Sequence, residues 1–477
     1  MKLFVVLSLT VSILRLWHVA SAQTTQTPTK PNILLIFADD LGFMDCGFNG
    51  SKIMETPNID LLSRSGMIFN NAYAAAGNCA PSRAALISGK YPPRTGVYAV
   101  GSTSRGPVEQ MRLVPVRNNV ALNSSFVTIA EGLKEKGYAT AIFGKWHLAN
   151  SKQTRPEAQG FDLYIGGPKE QSRKGSNVAS DPKGIFYLTD VAIKYMQSNS
   201  ERPFFAYLAH NAIHSKQEAR PESIEKFKKK GLSDKMAIYA ACVYDFDASI
   251  GQLMGFLSKS GLGKNTLVIF TSDNGATQAS SQEPLRGNKG SYYEGGIKEP
   301  FIAYWPKKIK AGTVNSTPII NLDFYPTFMS LAGSMDFRSD GENLMPLFLG
   351  KKKETERASI FWYFPGYLDS PVIRGRDDIF RSRPTAVIRK GDFKLHLYLE
   401  EWLLDGGMEK VDANNSLELY NITNDPGERI DLANTDVQKR NELLRDLLKW
   451  IAECKAPLPT RITATNKPIQ GTVSGEK

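Results

Sequence analysis

The chain predicts an α/β fold: a large, mainly parallel sheet flanked by helices, then a smaller C-terminal antiparallel sheet packed on one helix. Two observations predict it. Four short segments are almost continuously apolar, as strands covered on both faces must be, and helical patterns separate them. Beyond about Lys353 the texture changes to closely spaced short strand candidates, closed by one long helix.

The buried-type strands are Asn32–Ala38, Tyr138–Phe143, Phe204–Ala209 and Thr266–Ser272. Phe126–Lys136, Gly184–Asn199 and Lys235–Lys259 read as helices between them, and such alternation indicates parallel pairing through crossovers. The C-terminal candidates are Ser359–Tyr363, Thr385–Arg389, Phe393–Tyr398 and Leu417–Tyr420, with a helix over about Val437–Cys454. The resulting division is a leader at 1–22, an α/β domain at 23–352, an α+β subdomain at 353–456 and a polar, poorly ordered tail at 457–477.

Residues 1–22 combine Lys2, an apolar run from Leu3 to Leu14 and the small-residue end Ala20-Ser21-Ala22. That pattern is a secretory signal peptide, too short to span a membrane, and no later run is long and apolar enough to do so. Export, to a periplasm or the medium, is therefore expected. Losing Lys2 and Arg15 with the leader lowers the formal charge of +11 by two, which leaves a basic protein suited to an anionic partner. Nucleic acid fits badly with export, and no basic tail or nucleic-acid motif is present. Four cysteines, Cys46, Cys79, Cys242 and Cys454, are too few for a disulfide scaffold, and a chain this long can bury its core without one. Asn49, Asn123, Asn315, Asn414 and Asn421 open Asn-x-Ser/Thr sites.

Each buried strand runs straight into polar residues: Asp39-Asp40, then Gly144-Lys145-Trp146-His147, then His210 to His214, then Asp273-Asn274-Gly275. Ligands of open α/β sheets bind outside the carboxyl ends of the strands, so four segments aim their side chains at one edge. Asp39, Asp40, Asp273 and Asn274 offer only oxygen, a set for a hard cation, Ca²⁺ ahead of Mg²⁺, and not for zinc. Cys79 sits in Cys79-Ala80-Pro81-Ser82-Arg83, among polar and turn-forming neighbours unlike those of a packed core cysteine. Pro81 belongs in a first helical turn, which places Cys79 at a helix N-terminus, where backbone amides favour an anion. Arg83, Lys145 and Lys289 add positive charge, the last in the glycine-rich run Leu285–Ser291, whose backbone can approach a bound group closely.

Together, the Cys79-x-Pro81-Ser82-Arg83 run, Asn32-to-Asp40, Gly144-Lys145-Trp146-His147-Leu148, Ser272-Asp273-Asn274-Gly275, Leu285-to-Gly290 and Asn424-to-Glu428 resemble the blocks of type I formylglycine-dependent sulfatases. The likeness runs from Pro31 to about Cys454. It implies an alkaline phosphatase-like fold with a catalytic domain at 23–352. It also implies oxidation of Cys79 to 3-oxoalanine (formylglycine) by a formylglycine-generating enzyme, and Ca²⁺ held by Asp39, Asp40, Asp273, Asn274 and the modified Cys79. The aldehyde hydrate at 79 would be the nucleophile, steadied by Arg83, with the sulfate charge met by Lys145 and Lys289. His214, or Lys289 beside it, would protonate the departing alcohol, and His147 would take the proton whose loss expels sulfate.

Two departures stand out. Many relatives carry His-x-Pro where this chain has His214-Ser215-Lys216, which leaves His210 as a competitor, though the spacing after the strand and the preceding Ala212-Ile213 favour His214. Relatives also often place a histidine in the segment that here reads Phe361 to Tyr367 without one. Arg105, Arg112, Arg117, Arg374, Arg376, Arg381 and Arg383 suggest a basic rim for sulfates and carboxylates. Trp362, Tyr363 and Tyr367 could stack on sugar rings or pack in a core. The expected substrate is a sulfated oligosaccharide or polysaccharide, such as an algal galactan, ulvan or a glycosaminoglycan. The alternatives are a phosphatase or phosphodiesterase of the same superfamily, and a non-catalytic glycan-binding protein if Cys79 stays a thiol.

Overall fold

The computed structural model describes residues 30–166, 180–334 and 338–471, so the leader read at 1–22 lies outside the described residues. The main sheet has eight strands: β1 (Asn32–Asp39), β2 (Met67–Phe69), β3 (Ala139–Gly144), β4 (Leu163–Ile165), β5 (Phe204–Ile213), β6 (Thr266–Ser272), β7 (Ile302–Tyr304) and β8 (Thr313–Asn315). Their order is β8-β2-β7-β6-β1-β5-β3-β4, with β1 inside the sheet between β6 and β5. Every neighbouring pair is parallel except those made by β7, which runs against β6 and β2.

The continuous apolar run of β1 has the two-faced burial expected of a central strand. Ile33, Leu35 and Phe37 enter one core with Phe205, Tyr207 and Ile269, while Leu34, Ile36 and Ala38 enter the other with Ala206, Leu208 and Phe270. The first core is roofed by α1 (Cys79–Ser88) and α2 (Ile129–Glu135), the second by α3 (Ile185–Ser198) and α4 (Asp234–Ser260). Helix α2 starts later than the apolar pattern suggests, because Thr128 caps it, its hydroxyl accepting from the Glu131 amide while the Glu131 carboxylate accepts from the Thr128 amide.

In the C-terminal part, β9 (Ser359–Phe364), β10 (Thr385–Lys390), β11 (Phe393–Tyr398) and β12 (Leu417–Asn421) form an antiparallel sheet in sequence order. Helix α5 (Val437–Glu453) covers it, burying Leu443, Leu444 and Leu447 against Val387, Leu395 and Leu397. Trp362 and Tyr363 belong to this core and are not sugar platforms: the Trp362 indole donates to the Ala74 carbonyl at 2.7 Å and the Tyr363 hydroxyl to the Pro457 carbonyl at 2.6 Å. Tyr367 is also buried, against Phe380 and Met111.

The tail expected to be poorly ordered is instead tied down as far as 471. Thr460–Arg461 pairs with Leu113–Val114, and the Gly471 amide donates to the Ser104 carbonyl at 2.7 Å. Main-chain pairing holds it where side-chain composition gave no sign. Among the described residues no helix is long and apolar enough to cross a membrane. All four cysteines are buried and unpaired.

Leu447 is fully buried in the seam between α5 and its sheet. Leu447→Ala should therefore cost about 2–5 kcal/mol of stability, read as a lowered denaturant midpoint.

Candidate active site

The carboxyl ends of β1, β3, β5 and β6 meet at one edge, and the predicted residues converge there. Beyond β1, Asp40 takes a left-handed backbone conformation, φ 66°, and its amide donates to Asp273 Oδ1 at 3.1 Å. His147 beyond β3 is left-handed too, φ 67°. Non-glycine residues seldom hold this conformation, and such strain concentrates at functional sites. Asn274 Nδ2 donates to Asp40 Oδ1 at 2.8 Å, and its own buried Oδ1 has no partner among the described residues.

Oxygen atoms of Asp39, Asp40 and Asp273 lie within 4.8 Å of one another, all three residues buried. Three cationic side chains answer the three acids. Arg83 donates from Nε (2.9 Å) and Nη2 (2.8 Å) to Asp273 and stands 3.6 Å from Asp39. Lys145 Nζ donates to both Asp39 oxygens, at 2.9 and 2.8 Å, and Lys289 Nζ to Asp40 at 2.8 Å. Burial pushes the Asp39 and Asp40 carboxyls up, but the surrounding cations, led by Lys145 at the first and Lys289 at the second, together outweigh it and hold them below the usual range. Asp273 goes the other way: burial and the Asp39 charge raise it in spite of Arg83. The oxygen-only donors and the orphaned Asn274 Oδ1 fit a hard divalent cation.

Cys79 is the first residue of α1, whose Ala80, Ala84 and Ile87 pack on the sheet and so fix its N-terminus at this edge. Burial raises its thiol, yet Lys145 and Lys289 more than offset this and bring it down to about 7. Cys79 Sγ, a ring nitrogen of His214 and an Asp39 oxygen lie within 4.8 Å of one another. Burial would make His214 a weaker base, but Asp39, a hydrogen bond to Cys79 and Asp40 lift it to about 9. Burial, with Lys145 and Arg83, keeps His147 neutral, well below its usual value, and its buried Nδ1 lacks a partner among the described residues.

The structure separates the two competing histidines. Strand β5 continues to Ile213, past the end that its apolar run suggests, so His210 lies within the strand, packed at 5.0 Å against Phe246, and burial lowers it to about 3. His214 stands after the strand, beside Asp40 at 3.8 Å.

The arginine rim is largely spent on internal pairs. Arg105 binds Asp369 (2.6 Å), Arg112 binds Asp405 (2.6 Å), Arg376 binds Glu401 (3.0 Å), and Arg383 binds Asp377 and Glu400. Arg374 donates to the carbonyls of Gly427 and Leu285, whereas Arg117 is exposed. Nor does the glycine-rich loop crowd a ligand. Its Gly287 and Gly290 take left-handed backbone, φ 75° and 88°, and a Cβ there would sit 2.3 Å from the Ser291 and Arg381 side chains, so these glycines serve the turn and the loop's own packing. Arg381, read as a rim residue, instead donates to the Lys289 carbonyl at 3.2 Å. Two supporting residues had no local signal: Ser382 donates to the Gly290 carbonyl at 2.7 Å and Lys183 to the His214 carbonyl at 2.9 Å.

The chain belongs to the sulfatase family, whose model matches residues 31–334, and it is a sulfuric ester hydrolase. A second model, N-sulphoglucosamine sulphohydrolase, C-terminal, matches residues 288–456. The chain is similar to a sulfatase of Formosa agariphila, 32% identical over 94% of this chain and 93% of that one. It is also 32% identical to the N-acetylgalactosamine-6-sulfatase of Mus musculus, over 78% of this chain and 72% of that one. Among solved structures it resembles Ps i-CgsB in complex with k-i-k-neocarrahexaose, with a TM-score of 0.72 and 30% identity over 92% of this chain and 96% of that one.

Arg83→Met would leave Asp273 buried without its cation, at a cost of about 3–5 kcal/mol. The variant raises a folded carboxyl that already lies above its reference value of 3.8. A raised carboxyl costs stability as pH climbs from the unfolded to the folded pKa, so the deficit in denaturant melts should be smallest near pH 4 and grow toward neutrality.

Proposed function

We propose that this sulfatase releases sulfate from a sulfated carbohydrate chain, with Cys79 oxidised to 3-oxoalanine and a Ca²⁺ ion held by Asp39, Asp40, Asp273 and Asn274. The observation that carries the reading is the balance of charge around Cys79. Three buried carboxylates are matched by Arg83, Lys145 and Lys289, so a divalent ion leaves the site net positive and suited to a sulfate ester. When present, the ion and the hydrated aldehyde supply electrophilic charge and an oxygen nucleophile.

The chain's own side chains do the rest. Lys145 and Lys289, each partly open to solvent, bind the sulfate oxygens and meet the charge that develops on them. Arg83 fixes Asp273 and, through the Lys145 carbonyl at 3.0 Å, the position of Lys145. His214, 3.8 Å from Asp40 and beside position 79, stands where it can donate a proton to the departing sugar oxygen. His147, held neutral by burial and by Lys145, accepts a proton at its ring. The support for a carbohydrate substrate is the pair of relatives named for N-acetylgalactosamine-6-sulfate hydrolysis and for a complex with a neocarrahexaose. Residues 1–22 fit export of such an enzyme, and a formylglycine-generating enzyme is the partner that maturation requires.

Sulfate release from a panel of sulfated oligosaccharides, with Cys79→Ala as the inactive control, tests the reading. Activity on simple aryl sulfates with none on the panel would contradict it. His214→Ala should lower kcat about 10²–10⁴-fold on sugar sulfates, whose leaving alcohols need a proton. Its loss should be much smaller on a nitrophenyl sulfate, whose leaving group needs none. Equal losses on both would remove His214 from the role of acid.

A further inference from the structure

A cleft of about 1090 Å³ opens between the main domain and the C-terminal sheet, and none of the residues assigned above lines it. Its position follows from the sheet. Asn70 and Asn71 follow β2, Asn315 ends β8, and both strands run in the direction of β1. These residues therefore stand at the same carboxyl edge as the active site. Strand β2 is three places from β1 and β8 is four. At ~4.8 Å between strands, the cleft lies about 15–20 Å from Asp39. That distance is within the length of an oligosaccharide.

The wall is polar and carries surplus positive charge. Of the lining residues, Lys298 and Arg389 face Glu294, and behind the wall the fully buried Lys394 pairs with Glu294 and Glu428. Lys394 Nζ takes the close contacts, 3.0 Å to each acid. The Tyr73 hydroxyl donates to Glu294 at 2.9 Å, and Lys298 Nζ is left at 3.8 Å from Glu294 and 3.3 Å from Asn71 Oδ1. Burial, larger than the opposing pull of Glu294 and aided by Arg389 and Lys394, makes the Lys298 ammonium easier to deprotonate. At the mouth, Lys352 and Arg357 are answered by Glu356 and Asp323, whereas Lys353 makes no ion pair among the described residues. Glu354 and Asp392 also line the cleft, and Asp392 accepts a hydrogen bond from Thr423 at 2.8 Å. Asn70 Oδ1 is buried without a partner, and the half-buried ring of Phe43 lies 4.9 Å beneath Lys298 Nζ. Cations for sulfate or carboxylate, amides for hydroxyls and a ring for a sugar face are the parts of a saccharide site.

We propose that this cleft, through Phe43, Asn70, Lys298, Lys353 and Arg389, is a second binding site for the anionic oligosaccharide whose sulfate the Cys79 centre removes, so that long chains are held at two points. The proposal rests on the carbohydrate reading above. Two-point attachment predicts a lower KM for long sulfated oligosaccharides than for disaccharides of the same repeat.

The test measures that length preference in the active enzyme and in two variants, Lys353→Glu, which changes only the exposed mouth, and Lys298→Gln with Lys353→Glu. The expected result is a preference for long chains that shrinks about 3- to 10-fold in the double variant and by less in the single one. Calorimetry on Cys79→Ala protein with the long oligosaccharide should resolve two contacts' worth of affinity in the parent background, reduced to the disaccharide level in the double variant. No length preference in the parent, or one unmoved in both variants, overturns the cleft proposal while sulfate release keeps the carbohydrate reading standing. No release from any oligosaccharide overturns both.

Discussion

Three carboxylates buried within a few ångströms of one another are the constraint around which the rest of this molecule is arranged. In water-like surroundings they would repel weakly, but out of solvent each must be neutralised, protonated or bound to a cation. Arg83, Lys145 and Lys289 meet that demand from three separate segments, and each is placed by a different piece of the fold. Arg83 comes on the helix that begins with Cys79, so the group that neutralises Asp273 and the reactive position move as one body.

Lys289 shows why the C-terminal sheet belongs to the enzyme and is more than an appendage. Its loop is held on one side by the main domain, where its amide donates to the Ala276 carbonyl at 2.8 Å and the Gly290 amide to the Gly77 carbonyl at 2.7 Å. On the other side Arg381 and Ser382 hold the carbonyls of Lys289 and Gly290. Glu428, from the Asn424–Glu428 block, accepts from the Glu294 amide at 2.7 Å just beyond the loop. That gives a physical use to a sequence block with no chemistry of its own.

The strands, their parallel pairing and the convergence of polar residues were legible in the sequence because burial on two faces leaves a simple apolar signature. The residues just past the carboxyl end of such a strand then face the ligand edge. Spacing alone favours His214 over His210, but the physical reason lies in the strand. The choice turns on β5 running on to Ile213, with an irregular register against β1 between Phe37 and Asp39, which no apolar run reveals. The arginines misled for a related reason: charge in a sequence does not disclose its partner, and Arg105 and Arg112 find theirs far along the chain while Arg376 and Arg383 find theirs across the C-terminal part. Aromatic residues near a motif were equally ambiguous, and Trp362 and Tyr363 went to the core. The tail's order comes from main-chain pairing, to which composition is blind.

The most direct measurement is a crystal structure of the matured protein grown with Ca²⁺ and read by anomalous scattering and density at position 79. The account predicts one ion within about 2.3–2.6 Å of oxygens from Asp39, Asp40, Asp273 and Asn274, facing an oxidised, sulfur-free side chain. A fully active protein that retains the Cys79 thiol, or that holds its ion away from these four residues, would contradict it.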